Sequence, residues 1–146
     1  MNRLIKTATA QYTATIHYLT VLSPVMILIV RLWIAHVFWA SGILKLEDFS
    51  TAVLLFTNEH PVPGLPPVVA AVLGTTFEIS CPILLTLGLA TRLATLPLLF
   101  MTAVINFTYL DATEHYYWAM LLGMILFYGP GKISLDHYIS KKLSNG

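Results

Sequence analysis

The sequence predicts an all-α fold, a polytopic membrane protein in which four spanning helices form a bundle. Hydrophobic residues make up 57% of the chain and charged residues only 10%, whereas a soluble domain carries about 25% charged residues. Four apolar stretches approach the roughly 20 residues that a helix needs to cross the hydrocarbon core of a bilayer. Turn-forming residues separate these stretches, and a chain of 146 residues suits one domain.

The breaks between the apolar stretches set the limits of the predicted spans. A proline-rich segment at 61–67 separates the first two spans, Gly88 ends the second, and the run 129–131 ends the fourth. The links after the second and third spans are so short that the spans they join must be antiparallel neighbours. We therefore expect a single transmembrane domain over residues 1–146. Its spans are predicted at about 21–44, 67–89, 93–110 and 112–128.

Two segments outside the spans predict short helices at the membrane surface. Residues 48–56 in the outer loop are too few to cross a bilayer, and Asp48 or Ser50 can cap a short helix there. In the N-terminal segment, apolar residues fall on one helical stripe, which is typical of a helix lying in the interface. The stripe consists of Leu4, Ala8, Tyr12, Ile16 and Leu19.

The C-terminal tail predicts a third short helix. Ser134 can cap a helix that begins at Leu135. Asp136 then lies in the first turn of this helix, and Lys141 and Lys142 lie in its last turn. This placement of charges complements the helix dipole at both ends.

The distribution of basic residues predicts the orientation of the spans. Cytoplasmic segments of membrane proteins are enriched in lysine and arginine. One side of this protein carries most of them, and the other side has only Lys45, at the end of the first span. Both termini should therefore lie in the cytoplasm. The residues on the predicted cytoplasmic side are Arg3, Lys6, Arg92, Lys132, Lys141 and Lys142.

Two charged residues inside the predicted spans are the strongest indication of a functional site. Arg31 and Glu78 lie equally far from the starts of their own predicted spans, so antiparallel packing should bring them to one depth. An isolated charge at the bilayer centre costs about 3 kcal/mol on insertion scales. We therefore predict a direct or water-bridged Arg31–Glu78 pair. It is interpreted either as an ion pair that fixes the helix register or as a polar pocket for a ligand or proton.

The candidate ligand site extends along the first helix from this pair. Arg31, Phe38, Gly42 and Lys45 share one helical face. Gly42 would let another helix or a ligand approach closely. Lys45 is interpreted either as an anchor at the outer interface or as a cationic lid over an anionic head group or a quinone carbonyl.

Several classes of function find no support in the sequence. The formal net charge is +1, and nucleic-acid binding needs a clustered basic surface, so we expect no nucleic-acid partner. The single cysteine, Cys81, excludes an internal disulfide and is expected to pack in the core. We expect no metal site, because acidic residues and histidines near the outer loop lack tight ligand spacing and are interpreted as a solvated rim. These residues are Glu59, His60, Asp111, Glu114 and His115.

Five features together carry a resemblance to a known family. They are Arg31, the pattern Phe38-x-x-x-Gly42-x-x-Lys45, Glu78, the run 87–92 and the run 129–136. In this combination the chain resembles the DoxX family of small bacterial membrane proteins. Within it, the chain is similar to the group related to the small membrane subunit of thiosulfate:quinone oxidoreductase.

The resemblance implies a four-helix bundle in the bacterial inner membrane and an association with redox chemistry. We expect an accessory or quinone-site subunit, with Arg31 and Glu78 at its polar centre and Lys45 at its mouth. The chain has no motif for a redox metal or flavin, so electrons would come from a soluble or membrane oxidoreductase partner. The alternative is a non-catalytic scaffold that recruits a partner and in which the ion pair is purely structural. Whether the protein is an enzyme stays open between these hypotheses.

Overall fold

The computed structural model describes residues 2–59, 61–108 and 112–145, with side chains from residue 7 onward. Within these ranges the chain is helical and contains no strand, which confirms the predicted all-α polytopic fold. The helices are α1 (Asn2–Glu47), α2 (Phe49–Asn58), α3 (Pro67–Leu87), α4 (Thr91–Thr108), α5 (Thr113–Tyr128) and α6 (Leu135–Ser144). We call the end of the bundle that carries α2 the loop end and the end that carries α6 the tail end.

Three helices in the described ranges are long and apolar enough to cross a membrane. They are the part of α1 over Thr7–Glu47, α3 and α4. Helix α5 has 16 residues and is therefore about 24 Å long, somewhat shorter than the roughly 30 Å hydrocarbon core of a bilayer. A fourth span formed by α5 stays a prediction.

Helix α1 continues without a break from the N-terminal segment into the first span. It has 46 residues and a length of about 69 Å, more than twice the thickness of a bilayer core. The N-terminal segment is helical, as predicted, but it does not form a separate helix. Its threonine hydroxyls donate hydrogen bonds to carbonyls one turn earlier, as in Thr13 to Thr9 (2.8 Å) and Thr15 to Gln11 (2.9 Å), so these polar side chains are satisfied within the helix.

The core of the bundle lies where α1, α3, α4 and α5 meet. One buried cluster takes side chains from each of these helices. It includes Ile34 and Phe38 of α1, Leu85 of α3, Leu98 of α4 and Leu122 of α5. Helix α1 packs along α3, and α4 packs between α3 and α5. The α3–α4 link turns at Gly88, whose φ of 70° is a left-handed conformation that glycine adopts without strain.

Of the two predicted caps for helix α2, the structure has Asp48, and Ser50 lies within the first turn. One carboxylate oxygen accepts a hydrogen bond from the Thr51 amide at 3.0 Å. Hydrogen bonds from the hydroxyls of Ser50 and Thr51 and from the Thr51 amide lower the pKa of Asp48 to about 2. Farther along α2, Phe56 packs against Ala70 and Ala71, so α2 covers the loop-end half of α3.

Candidate functional site

Arg31 lies at the tail end of the bundle and is 1% exposed. Its guanidinium donates four hydrogen bonds to backbone carbonyls. Nε donates to Leu85 at 2.9 Å and Nη2 to Thr86 at 3.1 Å, both near the end of α3. Nη1 donates to Pro130 at 2.6 Å and to Ile133 at 2.8 Å, both in the link before α6. Arg31 therefore ties α1 to the end of α3 and to the tail.

The prediction that Arg31 pairs with Glu78 is wrong. The prediction measures the depth of Arg31 from an expected helix start at residue 21, whereas α1 begins at Asn2. The actual register sets Arg31 beside Leu85 and sets Lys45 beside Glu78. The carbonyls that Arg31 reaches in α3 belong to its last turn, where backbone acceptors lack partners within the helix. A cation there also complements the helix dipole.

Asp136 completes this arrangement at the tail end. Its carboxylate accepts hydrogen bonds from the amides of Ala90 (2.7 Å) and Thr91 (2.9 Å) and so caps α4. Burial acts to raise the pKa of Asp136, but these bonds and the charge of Arg31 hold the pKa below its ordinary value. Helix α6 begins at Leu135 with Ser134 as its cap, as predicted. The two hydrogen bonds that Asp136 accepts at the start of α4 were not predicted from the sequence.

Glu78 pairs with Lys45 instead. Lys45 Nζ donates to both carboxylate oxygens, at 2.7 and 2.6 Å, and to Ser41 Oγ at 2.8 Å. The Ser41 hydroxyl donates a longer bond of 3.3 Å to Glu78. The side chain of Glu78 is 2% exposed and that of Lys45 is 13% exposed. This is a largely buried ion pair between α1 and α3 with its hydrogen bonds satisfied.

Gly42 and Phe38 support the pair from the interior of the bundle. A Cβ atom on Gly42 would lie 3.0 Å from the Glu78 carbonyl oxygen and 2.8 Å from Ile79 Cδ1, so only glycine permits this close approach of α1 to α3. The Phe38 ring packs edge-on against Trp118, with ring centroids 5.9 Å apart. Gly42 therefore acts in helix packing, as one predicted alternative had it, and Phe38 belongs to the core.

A cavity of about 410 Å³ reaches the Lys45–Glu78 pair from the loop end. Its polar lining comes from Ser41, Lys45, Glu78 and His115. The rest of its wall is apolar, aromatic or glycine. These residues include Phe56, Leu73, Gly74, Phe77, Phe100, Met101, Val104 and Trp118. Neither Arg31 nor Phe38 nor Gly42 lines this space.

The cavity opens on the side of the bundle, between α3 and α4. Leu73 and Phe77 on α3 and Phe100 on α4 all line it, yet they are 42%, 36% and 62% exposed, respectively. Exposed apolar side chains on a spanning helix face the lipid. A hydrophobic molecule in the bilayer could therefore enter from the side.

His115 lies inside this cavity wall, which the sequence reasoning missed. Its side chain is 9% exposed, and its ring contacts Trp118 with centroids 5.2 Å apart. Among the described residues no group forms a hydrogen bond with its Nδ1 atom. The interpretation as part of a solvated rim is therefore wrong for His115. Of the other rim residues, His60 and Asp111 lie outside the described part of the chain.

His36 and Cys81 lie away from the cavity. His36 is exposed on the lipid-facing side of α1. Cys81 is buried in the core, 4% exposed. Among the described residues, no three histidine, cysteine, aspartate or glutamate side chains form a group that could hold a metal ion.

A family model for DoxX matches residues 26–111, which is more than half of the chain. The protein belongs to the DoxX family. The match includes Lys45, Glu78 and Arg31, while the glycine-proline turn after α5 lies beyond it. No match was found among curated proteins or among solved structures. Together with its long apolar helices, the match makes the chain a membrane protein of the DoxX family.

Proposed function

We propose that this DoxX protein binds a quinone in the loop-end cavity and works with a partner oxidoreductase in the bacterial inner membrane. The observation that carries the proposal is the apolar-walled cavity that ends on the Lys45–Glu78 pair. Ligand sites typically combine an apolar wall with a few converging polar groups. Charged side chains at membrane depth are costly to bury, and they mark functional sites more often than structural ones.

The charge of the pair favours a neutral ligand. Lys45 and Glu78 neutralise each other, so the cavity offers no net cation to an anionic head group. The three N–H donors of Lys45 are matched by three acceptor atoms, two on Glu78 and one on Ser41. A ligand carbonyl would therefore accept a hydrogen bond from Lys45 by replacing one of its bonds to Glu78. The released carboxylate oxygen could then accept a hydrogen bond from the hydroxyl of a hydroquinone.

His115 is a second polar group in the lining of this cavity, in addition to the Lys45–Glu78 pair. A buried polar atom without a hydrogen bond costs about 1–3 kcal/mol, so a ligand that bonds Nδ1 after a rotation of the ring towards the cavity would recover this energy. A para-quinone carries an oxygen at each end of its ring, and in this proposal one oxygen bonds at the Lys45–Glu78 pair and the other at His115. The cavity volume of about 410 Å³ lies within the usual range for small-molecule sites, and an isoprenoid tail could leave between α3 and α4.

The proposed chemistry needs electrons from outside this chain. Reduction of a quinone to a hydroquinone takes up two electrons and two protons. In this proposal Glu78 and His115 would pass protons to the two oxygens, and the electrons would come from the partner oxidoreductase. The enrichment of lysine and arginine at the tail end supports the proposal that both termini are cytoplasmic.

Extraction of the purified protein with organic solvent, followed by mass spectrometry, tests the proposal. We expect a quinone to co-purify with the wild type and to be lost from Val104→Phe, which fills the cavity. Val72→Phe adds the same bulk on the lipid-facing side of α3 and should keep the quinone. A folded wild-type protein that neither retains nor takes up quinone from supplemented membranes would overturn the proposal and favour the scaffold.

A further inference from the structure

A second cavity, of about 570 Å³, lies at the tail end between the start of α4, the end of α5 and α6. It is separate from the proposed quinone site and shares no lining residue with it. Its lining carries two permanent cations, Arg92 and Lys132, together with one carboxylate, Asp136, and the polar side chains of His137 and Ser140. This composition suits a ligand with a phosphate group.

The guanidinium of Arg92 is held in position, and within the described ranges most of its N–H donors are free to bind a ligand. Its Nη2 atom would lie 3.2 Å from a Cβ atom on Gly129, so the guanidinium rests against the backbone where α5 ends. The Phe127 carbonyl accepts a long bond of 3.4 Å from Nη2. The other N–H groups of the guanidinium have no assigned protein acceptor in the described ranges. A guanidinium with free donors can bind phosphate oxygens in a bidentate manner.

The acidic group nearest to these cations is already engaged. Both oxygens of Asp136 accept backbone bonds, one from Ala90 and one from Thr91. In the part of the chain that the structure describes, Lys45–Glu78 is the one lysine or arginine salt bridge, so neither Arg92 nor Lys132 has an ion-pair partner there. Two cations and one carboxylate line the cavity, so its net charge is positive.

Exposed apolar side chains beside Arg92 and Lys132 suit the boundary between water and lipid. Leu93 and Tyr128 line the same cavity and are 69% and 78% exposed, as expected of side chains that contact acyl chains. Basic pockets between helices on the cytoplasmic side of a membrane suit anionic lipid head groups. We propose that Arg92 and Lys132 bind the phosphate of an anionic phospholipid, whose acyl chains lie along Leu93 and Tyr128.

Lipid retention by the intact protein tests this site. The protein is purified in mild detergent, and bound phosphatidylglycerol and phosphatidylcholine are measured by native mass spectrometry during titration with each lipid. We expect preferential binding of phosphatidylglycerol. At about 1 kcal/mol for each basic residue near the surface, the double change Arg92→Gln with Lys132→Gln should weaken it about 30-fold.

Matched variants separate the cavity from general surface charge. Lys141→Gln with Lys142→Gln removes the same charge from exposed positions of α6 outside the cavity and should weaken binding several-fold less than the Arg92→Gln, Lys132→Gln change. Lys132→Gln alone should weaken binding even if loss of Arg92 perturbs the fold. An equal loss in both double variants would overturn the proposal. Full competition by millimolar inorganic phosphate would show a free-anion site and would also overturn it.

Discussion

Lys45 and Glu78 are joined by two hydrogen bonds of 2.7 and 2.6 Å across the interface between α1 and α3. The pair closes one end of the loop-end cavity, and Ser41 bonds to both of its members. Gly42 allows the close approach of the two helices that brings these groups together. The pair therefore links the packing of the bundle to the chemistry of the proposed site.

Removal of one partner of this pair should cost more stability than removal of both. Glu78→Gln leaves Lys45 buried and uncompensated, which typically costs about 3–5 kcal/mol. The double change Lys45→Met with Glu78→Leu removes both charges and should unfold close to the wild type. Thermal unfolding in detergent, followed by circular dichroism, measures the difference. Small, additive losses in Glu78→Gln and Lys45→Met would show that the two residues do not interact.

The same double variant separates the two functional hypotheses. If the site binds quinone, the double variant should be stable but retain little quinone. If the pair is purely structural, the double variant should keep the cellular function of the wild type.

Arg31 should be essential for stability but not for quinone binding. Arg31→Met removes four hydrogen bonds from a charged donor to backbone carbonyls, and such hydrogen bonds contribute about 1.5–3 kcal/mol each. Because such contributions are not additive, we expect a loss of at least about 3 kcal/mol. Arg92→Met, which removes an exposed arginine with one long bond, should lose less than about 1 kcal/mol. Equal losses in the two variants would contradict the role assigned to Arg31.

Asp136 should make stability depend on pH in the acidic range. Its folded-state pKa lies below the ordinary value of 3.8. Its ionised form therefore stabilises the fold fully above pH 3.8, and this contribution is lost as the pH falls through the folded-state pKa. Asp136→Asn should be less stable at neutral pH and should lose less stability on acidification. Glu114→Gln removes an exposed carboxylate and serves as the control. Parallel pH curves for Asp136→Asn and the wild type would refute this role.

Reporter fusions should place both termini in the cytoplasm. The motivation is the basic bias of the tail end, where Arg92, Lys132 and α6 lie. An alkaline phosphatase fusion at Gly146 should be inactive, and one near Pro63, in the link between α2 and α3, should be active. The reverse pattern would invert the predicted orientation. An active fusion at both positions would indicate that α5 does not cross the membrane.

The sequence determines local features of this fold better than contacts between helices. The caps Asp48 and Ser134 were predictable because each bonds within its own turn. Arg31 and Lys45 share one face of α1 but lie about 21 Å apart along it. Which of the two meets Glu78 depends on the register between α1 and α3, and the sequence offered no fixed start for α1 from which to count that register.

His115 could have been recognised from spacing. It precedes Trp118, Leu122 and Ile125 at intervals of three, seven and ten residues, which is the period of one helical face. Its polar neighbours in sequence instead suggested a solvated rim. The burial of a histidine on an apolar helical face was thus visible in the pattern, but the cavity that it lines depends on packing against α2, α3 and α4.

His115 should contribute to quinone affinity more than to stability. Its Nδ1 atom has no hydrogen-bond partner in the described ranges, so His115→Leu breaks no hydrogen bond of Nδ1 in the ligand-free protein and should not lower its unfolding temperature. In the complex the variant loses one hydrogen bond, worth about 1.4 kcal/mol or tenfold in affinity. Titration of the purified protein with a short-chain quinone, followed by Trp118 fluorescence in a Trp33→Phe, Trp39→Phe background, measures this loss. His36→Leu removes a lipid-facing histidine and should bind like the background protein. Unchanged affinity in His115→Leu, with quinone still bound, would mean that the ligand contacts only the Lys45–Glu78 end of the cavity.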